Sequence, residues 1–328
     1  MWAYVLIMAS SILLTQVIAW PIVLKETSFV KVKAKDVFKH FKPNLVLFVP
    51  IVAVSIYRTI SKIMLGSMTT VTEVGYFENA EKIVSALLSI IVALGTVMLP
   101  RMTALFEQKN EIAISSLMSK TFVYTALMSA IFCFGIFAVS EELVTWFLGN
   151  NFRGSVRILQ ILCMTIPLIC FANIIRTQIL IPRSLDRPFV ISCIAGAVVN
   201  LVANLLLIRI WGGFGAAIAT LLAELTVFVV QFYYCKSVLT QYLHRSHLQT
   251  LFFLYGYGLI TCIMVVIFKQ QFELSPFLSL MTELVLGALI YFTLIILHYK
   301  CGEDVVFNDF LTDIIIKRKL IITHMINS

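Results

Sequence analysis

The sequence predicts an all-α, polytopic membrane protein with about nine transmembrane helices. Three observations carry that prediction. First, 60% of the 328 residues are hydrophobic and only 13% are charged, with a mean hydropathy of +0.97; a soluble domain carries about 25% charge. Second, the apolar stretches are long and continuous, whereas a membrane β-barrel shows alternating segments of roughly 10 residues. Third, Lys and Arg gather in every second gap between those stretches, as cytoplasmic loops do. The composition excludes a soluble enzyme and also a disordered chain, which needs low hydrophobicity.

A helix needs about 20 apolar residues to cross roughly 30 Å of hydrocarbon. That length places spans near 2–24, 43–65, 77–100, 117–139, 157–180, 188–209, 213–235, 249–268 and 277–298. The first is not a signal peptide: it lacks a basic leader and its apolar run is too long. Segment 25–42 is a basic, amphipathic connector. The longest gap on the other side is 140–156, and 303–320, with Phe307 and Phe310 before Lys317, Arg318 and Lys319, reads equally as a helix on the inner leaflet or as a solvated tail.

One set of gaps holds 17 basic residues, six of them between Lys25 and Lys42; the other set holds four, Arg153, Arg157, Arg209 and Lys269. The bias sets the first group in the cytoplasm, the N-terminus outside and the C-terminus inside. An external start without a basic anchor leads to the expectation that an odd number of spans precedes Met1. The net charge of +8 is thus a membrane-orientation signal, and no nucleic-acid partner is expected.

Catalytic patterns are missing. The sequence contains no GxxxxGK[ST] loop and no Rossmann glycine pattern, so no cofactor and no catalytic residues are expected. The seven cysteines stand singly, without metal or disulfide spacing. His244 and His247 read as solvated loop residues.

The informative residues are polar ones inside spans, where an ion costs about 2.5–3.5 kcal/mol at a helix centre. Such residues face a cavity or a partner. In the second span Ser55, Arg58, Thr59 and Lys62 share one helical face. In the third, Glu78, Glu81, Lys82, Ser85 and Ser89 form another stripe. Arg58 or Lys62 paired with Glu78 or Glu81 is one reading; a cationic wall of a substrate cavity is the other. Arg176 lies with Asn173 and Thr177 near the inner end of the fifth span, where it can snorkel to headgroups or face the cavity. Asn200 and Asn204, one turn apart, can join helices or line a cavity. Glu224, near the middle of the seventh span, is a proton-carrier or packing candidate.

The runs KHFKPNLVLFVP, YRTISKIMLG, EVGYFENAEKI and ALGTVMLPRM, followed by GAVVNLVANLLLI and GGFGAAIATLLAE, resemble the Wzx-type polysaccharide flippases of the multidrug/oligosaccharidyl-lipid/polysaccharide exporter superfamily. The resemblance covers about residues 35–235. One departure is Ser61, where that family usually has an acid. The resemblance implies two six-helix lobes around a central cavity. Residues 1–24 would be the last helix of the first lobe, 25–42 a linker, 43–235 the second lobe, 249–298 two added helices and 299–328 a cytoplasmic tail; five first-lobe helices would be lacking.

The resemblance further implies translocation of a polyprenyl-pyrophosphate-linked oligosaccharide across the bacterial cytoplasmic membrane, for capsule, exopolysaccharide or O-antigen assembly. No bond would be made or broken. Arg58, Lys62 and Arg176 would meet the pyrophosphate, since cationic side chains, Arg above all, match phosphate oxygens. Asn200 and Asn204 would meet sugar hydroxyls. Glu78, Glu81 and Glu224 would be ion-pair or coupling residues for a proton or sodium gradient. Membrane lipids and polysaccharide-assembly proteins are the expected partners. Three alternatives stay open: a cation-coupled multidrug exporter, a membrane polysaccharide polymerase or ligase, and an inactive gene fragment.

Overall fold

The computed structural model describes residues 2–26, 59–271, 275–301, 304 and 306–312, with isolated positions between 27 and 58. The chain divides into two compact units, Met1–Val46 and Leu47–Ser328. Among the described residues every regular element is helical.

In the first unit α1 spans Trp2–Glu26, carries Lys25 in its last turn and contains Pro21. Its apolar residues run all the way round, and Leu6, Ile7, Leu13, Leu14, Val17 and Ile18 are exposed, as on a helix meant for lipid.

The second unit opens with helix α2, described over 59–68. Helices α3 (Val71–Glu107) and α4 (Glu111–Phe147) follow. Each starts on a polar cap. Thr70 Oγ1 accepts from the Glu73 N–H, and Asn110 Oδ1 accepts from the Ala113 N–H, satisfying donors that a helix start leaves open. The next span comes in pieces: α5 (Gly154–Cys163), α6 (Thr165–Ile175) and a π-helical turn (Arg176–Leu180). The break at Met164 follows from Pro167, which has no N–H to offer the Cys163 carbonyl.

Helix α7 covers Asp186–Tyr242. Fifty-seven residues would stretch about 85 Å at 1.5 Å each, far beyond a bilayer. Instead Gly212, at φ 54° and ψ −131°, reverses the chain in a backbone region open only to glycine. The two halves run back along each other. The Gln231 amide donates to Ser192 Oγ at 3.1 Å, and the glycine surface at Gly196 lies against Ala223 and Val227. The sixth and seventh expected spans are therefore one hairpin without a loop.

Helices α8 (Arg245–Lys269) and α9 (Pro276–Cys301) pack on each other and on α4. A short helix, α10, is described over 306–312. Among the described residues six helical stretches, with Gly154–Leu180 taken as one, are long and apolar enough to cross a membrane by length and composition.

One apolar core joins α2 to α7 around Leu65, Phe77, Val84, Leu159, Ile166 and Ile208. A second joins α4, α8, α9 and α10 around Ala126, Leu254, Tyr291, Phe307 and Phe310. The connections sort to two ends. The Tyr76–Phe152 ring contact and the Glu73–Gly213 bond gather 69–70, 148–153 and 212 at one end. The Tyr242–Glu111 and His247–Ser119 bonds gather 108–110 and 243–244 at the other.

Three expectations change. The 140–156 gap shrinks to 148–153, because α4 continues through Glu141 and Glu142, whose carboxylates are held by Lys269. His247 is buried rather than solvated: its Nδ1 accepts from the His244 N–H and its Nε2 meets Ser119 Oγ at 2.9 Å. The reading of 303–320 as a leaflet helix meets Phe307 and Phe310 buried in the α4–α8–α9 core, with Asp304 Oδ1 accepting from the Phe307 N–H; residues 313–320 lie outside the described ones.

Candidate functional site

The polar residues of α2, α3 and α7 converge on one region. The centre is Ser61, 2% exposed, on α2. Its hydroxyl donates to Asn200 Oδ1 at 2.9 Å and accepts from Asn204 Nδ2 at 2.9 Å; Asn204 Nδ2 also reaches Asn200 Oδ1 at 2.9 Å. Both asparagines are fully buried, and Asn200 Nδ2 and Asn204 Oδ1 lack partners. The asparagine pair thus joins α7 to α2 in this conformation. A cavity of about 30 Å³, room for a single water, adjoins the cluster and is lined by Ser61, Glu81, Ser85, Thr165, Thr220 and Glu224. Glu224 is 6% exposed.

One residue beyond Ser61, Lys62 turns outward. Its Nζ lies 2.9 Å from Glu81 Oε2, with both side chains partly exposed. They face a cavity of about 520 Å³ with Thr59, Lys82, Ser85 and Ala86. Glu78 pairs with Lys82 at 3.1 Å on the same helix, so among the described residues Glu81 rather than Glu78 meets Lys62. Ser55, Thr59 and Ser89 are exposed. Arg58 lies outside the described residues.

Arg176 stands apart, in the π-helical turn. Its Nη2 donates to Asn173 Oδ1 at 2.9 Å, the guanidinium lies 5.8 Å from the Phe189 ring centroid, and its buried Nε has no partner. Space for Asn173 comes from Gly95 on α3. A Cβ there would meet the Thr177 hydroxyl at 3.3 Å and the Asn173 amide closer still.

Glu73 and Gly95 did not stand out in the sequence. Glu73 Oε2 accepts from the Gly213 N–H at 2.8 Å and so holds the Gly212 reversal. The available signals were the Thr70-x-x-Glu73 start of α3 and the Gly212–Gly213 pair. Among the described residues no cluster of three or more metal-ligating side chains exists, and six cysteines are buried and free.

A helical bundle of apolar spans, with charged and amide side chains turned to one region inside it, defines a multi-pass membrane protein. Its fold is similar to part of that of two solved membrane proteins. The lipid II flippase MurJ, in an inward closed conformation, superposes with a TM-score of 0.66 over 84% of this chain and 57% of its own, at 14% identity. A MOP superfamily transporter from Pyrococcus furiosus gives 0.52 over 69% and 53%, at 13% identity. At such identities the likeness is one of fold.

In sequence, residues 1–106 match the family model described as polysaccharide biosynthesis protein. A putative O-antigen transporter of Shigella dysenteriae is 23% identical over 197 residues, 60% of this chain and 48% of its own. A probable low-salt glycan biosynthesis flippase, Agl15, of Haloferax volcanii is 22% identical over 292 residues, 87% of this chain and 60% of its own. The resemblance read from the motifs is met by these relatives. The chain spans about half to three-fifths of the length of the curated relatives it matches.

Proposed function

We propose that this protein translocates a lipid-linked oligosaccharide, carried on a polyprenyl pyrophosphate, across the bacterial cytoplasmic membrane for surface-glycan assembly. The observation that carries the reading is the Lys62–Glu81 pair. It sets a cation at the wall of an open polar cavity, on a helix face that also holds Ser55, Arg58 and Thr59 in sequence. The names of the relatives, O-antigen transporter and glycan biosynthesis flippase, point the same way.

In this reading Arg58 and Lys62 receive the pyrophosphate, Arg because its planar fork matches phosphate oxygens. Ser61, held by Asn200 and Asn204, fixes the rotation of α2 and so aims Lys62. Glu81 keeps Lys62 extended between substrates, and Arg176 with Asn173 is a second polar station. Glu224, beside the small cavity, is the residue through which a proton or sodium ion would couple. Transport proceeds by exchange between states open to either side, with binding near the midplane. The basic end, with 108–110 and 243–244, faces the cytoplasm and the 148–153 end faces out.

Glycan export by a flippase-deficient strain tests this. Lys62→Ala and Arg58→Ala each lose export while the protein still inserts, and Arg58→Lys keeps part of it. Should Lys62→Ala combined with Glu81→Gln export at the wild-type level, Lys62 is a structural partner of Glu81 and the substrate role is wrong.

A further inference from the structure

Away from that cavity, a second group of ionisable side chains sits where the end of α4, the end of α8 and the second turn of α9 meet. Lys269 Nζ lies 2.7 Å from Glu141 Oε2 and 2.6 Å from Glu142 Oε1. Its single charge therefore serves two carboxylates on α4. A third carboxyl, Glu283 on α9, is 1% exposed and takes its hydrogen bond from Ser279 Oγ on Oε1 at 2.8 Å. Glu283 also faces Glu142 directly. Glu142 Oε2 and Glu283 Oε2 are both buried and both without a partner.

Two carboxylates in side-chain contact at a buried site do not both ionise, and an unpaired buried oxygen is costly. One hydrogen atom placed between them satisfies both at once, donated by one carboxyl and accepted by the other. We propose that Glu142 and Glu283 form a proton-binding site, a carboxyl pair that holds one proton at the α4–α8–α9 joint.

The surroundings fix the ligand and its route. Lys269 already supplies the cation for Glu141 and Glu142, so the remaining valence is that of a proton rather than a metal ion. On its other side Glu283 borders an apolar cavity of about 190 Å³ among Phe134, Val139, Cys262, Val265 and Leu284, in which Glu283 is the only charged lining residue. Protons therefore exchange from the partly exposed Lys269–Glu141 side, where Arg153 is the next charge within reach of Glu141. The uptake is a simple protonation by water, with no other bond changed. With the proton in place α9 is bound to α4 by a neutral-to-charged hydrogen bond; without it, two carboxylates repel across the same joint.

The inference stands on this joint alone and does not depend on transport. It is tested by infrared spectroscopy of the purified full chain in lipid nanodiscs near neutral pH, wild type minus Glu283→Gln. Other buried acids cancel in the difference. Removing this glutamate must remove either a carboxylic-acid carbonyl band or a carboxylate band. Loss of one carboxylic-acid band per chain, shifted by deuterium exchange, is the expected result. Glu142→Gln is measured beside it, because the shared proton can rest on either carboxyl; loss of a carboxylate band with no loss of an acid band in both variants overturns the proposal. Should the Gln variants fail to fold, Glu283→Asp and Glu142→Asp provide the same reading: an acid band must move in frequency in at least one of them, and an acid band unmoved in both overturns it.

Discussion

The reversal at Gly212 is the point at which one side chain decides how two membrane helices meet, and Glu73 is that side chain. Its carboxylate accepts from the Gly213 N–H at 2.8 Å. A hydrogen bond to a charged group contributes about 1.5–3 kcal/mol, and a donor left unpaired in a buried position costs about 1–3 kcal/mol. Gly213 is buried. Glu73→Ala therefore destabilises the second unit by about 2–3 kcal/mol, and Glu73→Gln, which keeps an acceptor but loses the charge, by about 1 kcal/mol. Gly212→Ala forces a Cβ into a glycine-only conformation, which costs about 1–3 kcal/mol, and that Cβ would stand 3.1 Å from Glu73 Oε2. The two positions touch, so their costs combine by less than their sum. Titration of the micellar protein with sodium dodecyl sulfate, followed by helical circular dichroism, reads these differences as midpoints. If Glu73→Ala unfolds at the wild-type midpoint, the carboxylate does not hold the turn and the reasoning fails.

Three further outcomes follow from the same structure. Ser61→Ala removes the hydroxyl shared by Asn200 and Asn204 and costs about 1 kcal/mol, a typical interhelical bond in membranes; an unchanged unfolding midpoint would contradict this. Gly95→Leu pushes α3 off Asn173 and Thr177, destabilises by about 1–3 kcal/mol through overpacking, and is read by the same titration against Gly135→Leu, where a Cβ meets nothing within 4 Å. Single cysteines on a cysteine-free background, labelled from outside intact cells, react at Asn150 and stay silent at Asn110 and His244; the reverse pattern would invert the proposed orientation.

Spans and their order were legible because hydrophobic length is a property of local composition. All seven spans from 77 onward have described helices over them, and the two halves of α7 fall on either side of 210–212 as the hydropathy required. The Lys62–Glu81 pair was legible as one of four pairings, since helical spacing names faces and leaves partners open. What could not be read was pairing across large sequence distances. Nothing near Glu142 announces Glu283, and nothing near Ser61 announces that Asn200 and Asn204 close on it from some 140 positions away. Loop lengths were overestimated wherever charged residues ended an apolar run, because Glu141 and Glu142 find Lys269 and the helix continues past them.

The segmentation of one span has a mechanical meaning. The α7 hairpin turns on a single residue and moves as one stiff element. By contrast, the stretch from Gly154 to Leu180 is cut at Met164 and again loosened by a π-helical turn at Arg176. Helices bend where proline or a π-turn interrupts the regular ladder. Within the core of α2–α7 bending therefore gathers in that span, with a further proline, Pro100, inside α3; the segmented span lies in contact with α3, α4 and α7 at once. A displacement of its Gly154 end need not be transmitted to Arg176 at the other. The two ends of the bundle are joined by a strut interrupted twice along its length, and the shape of one end can change without the same change at the other.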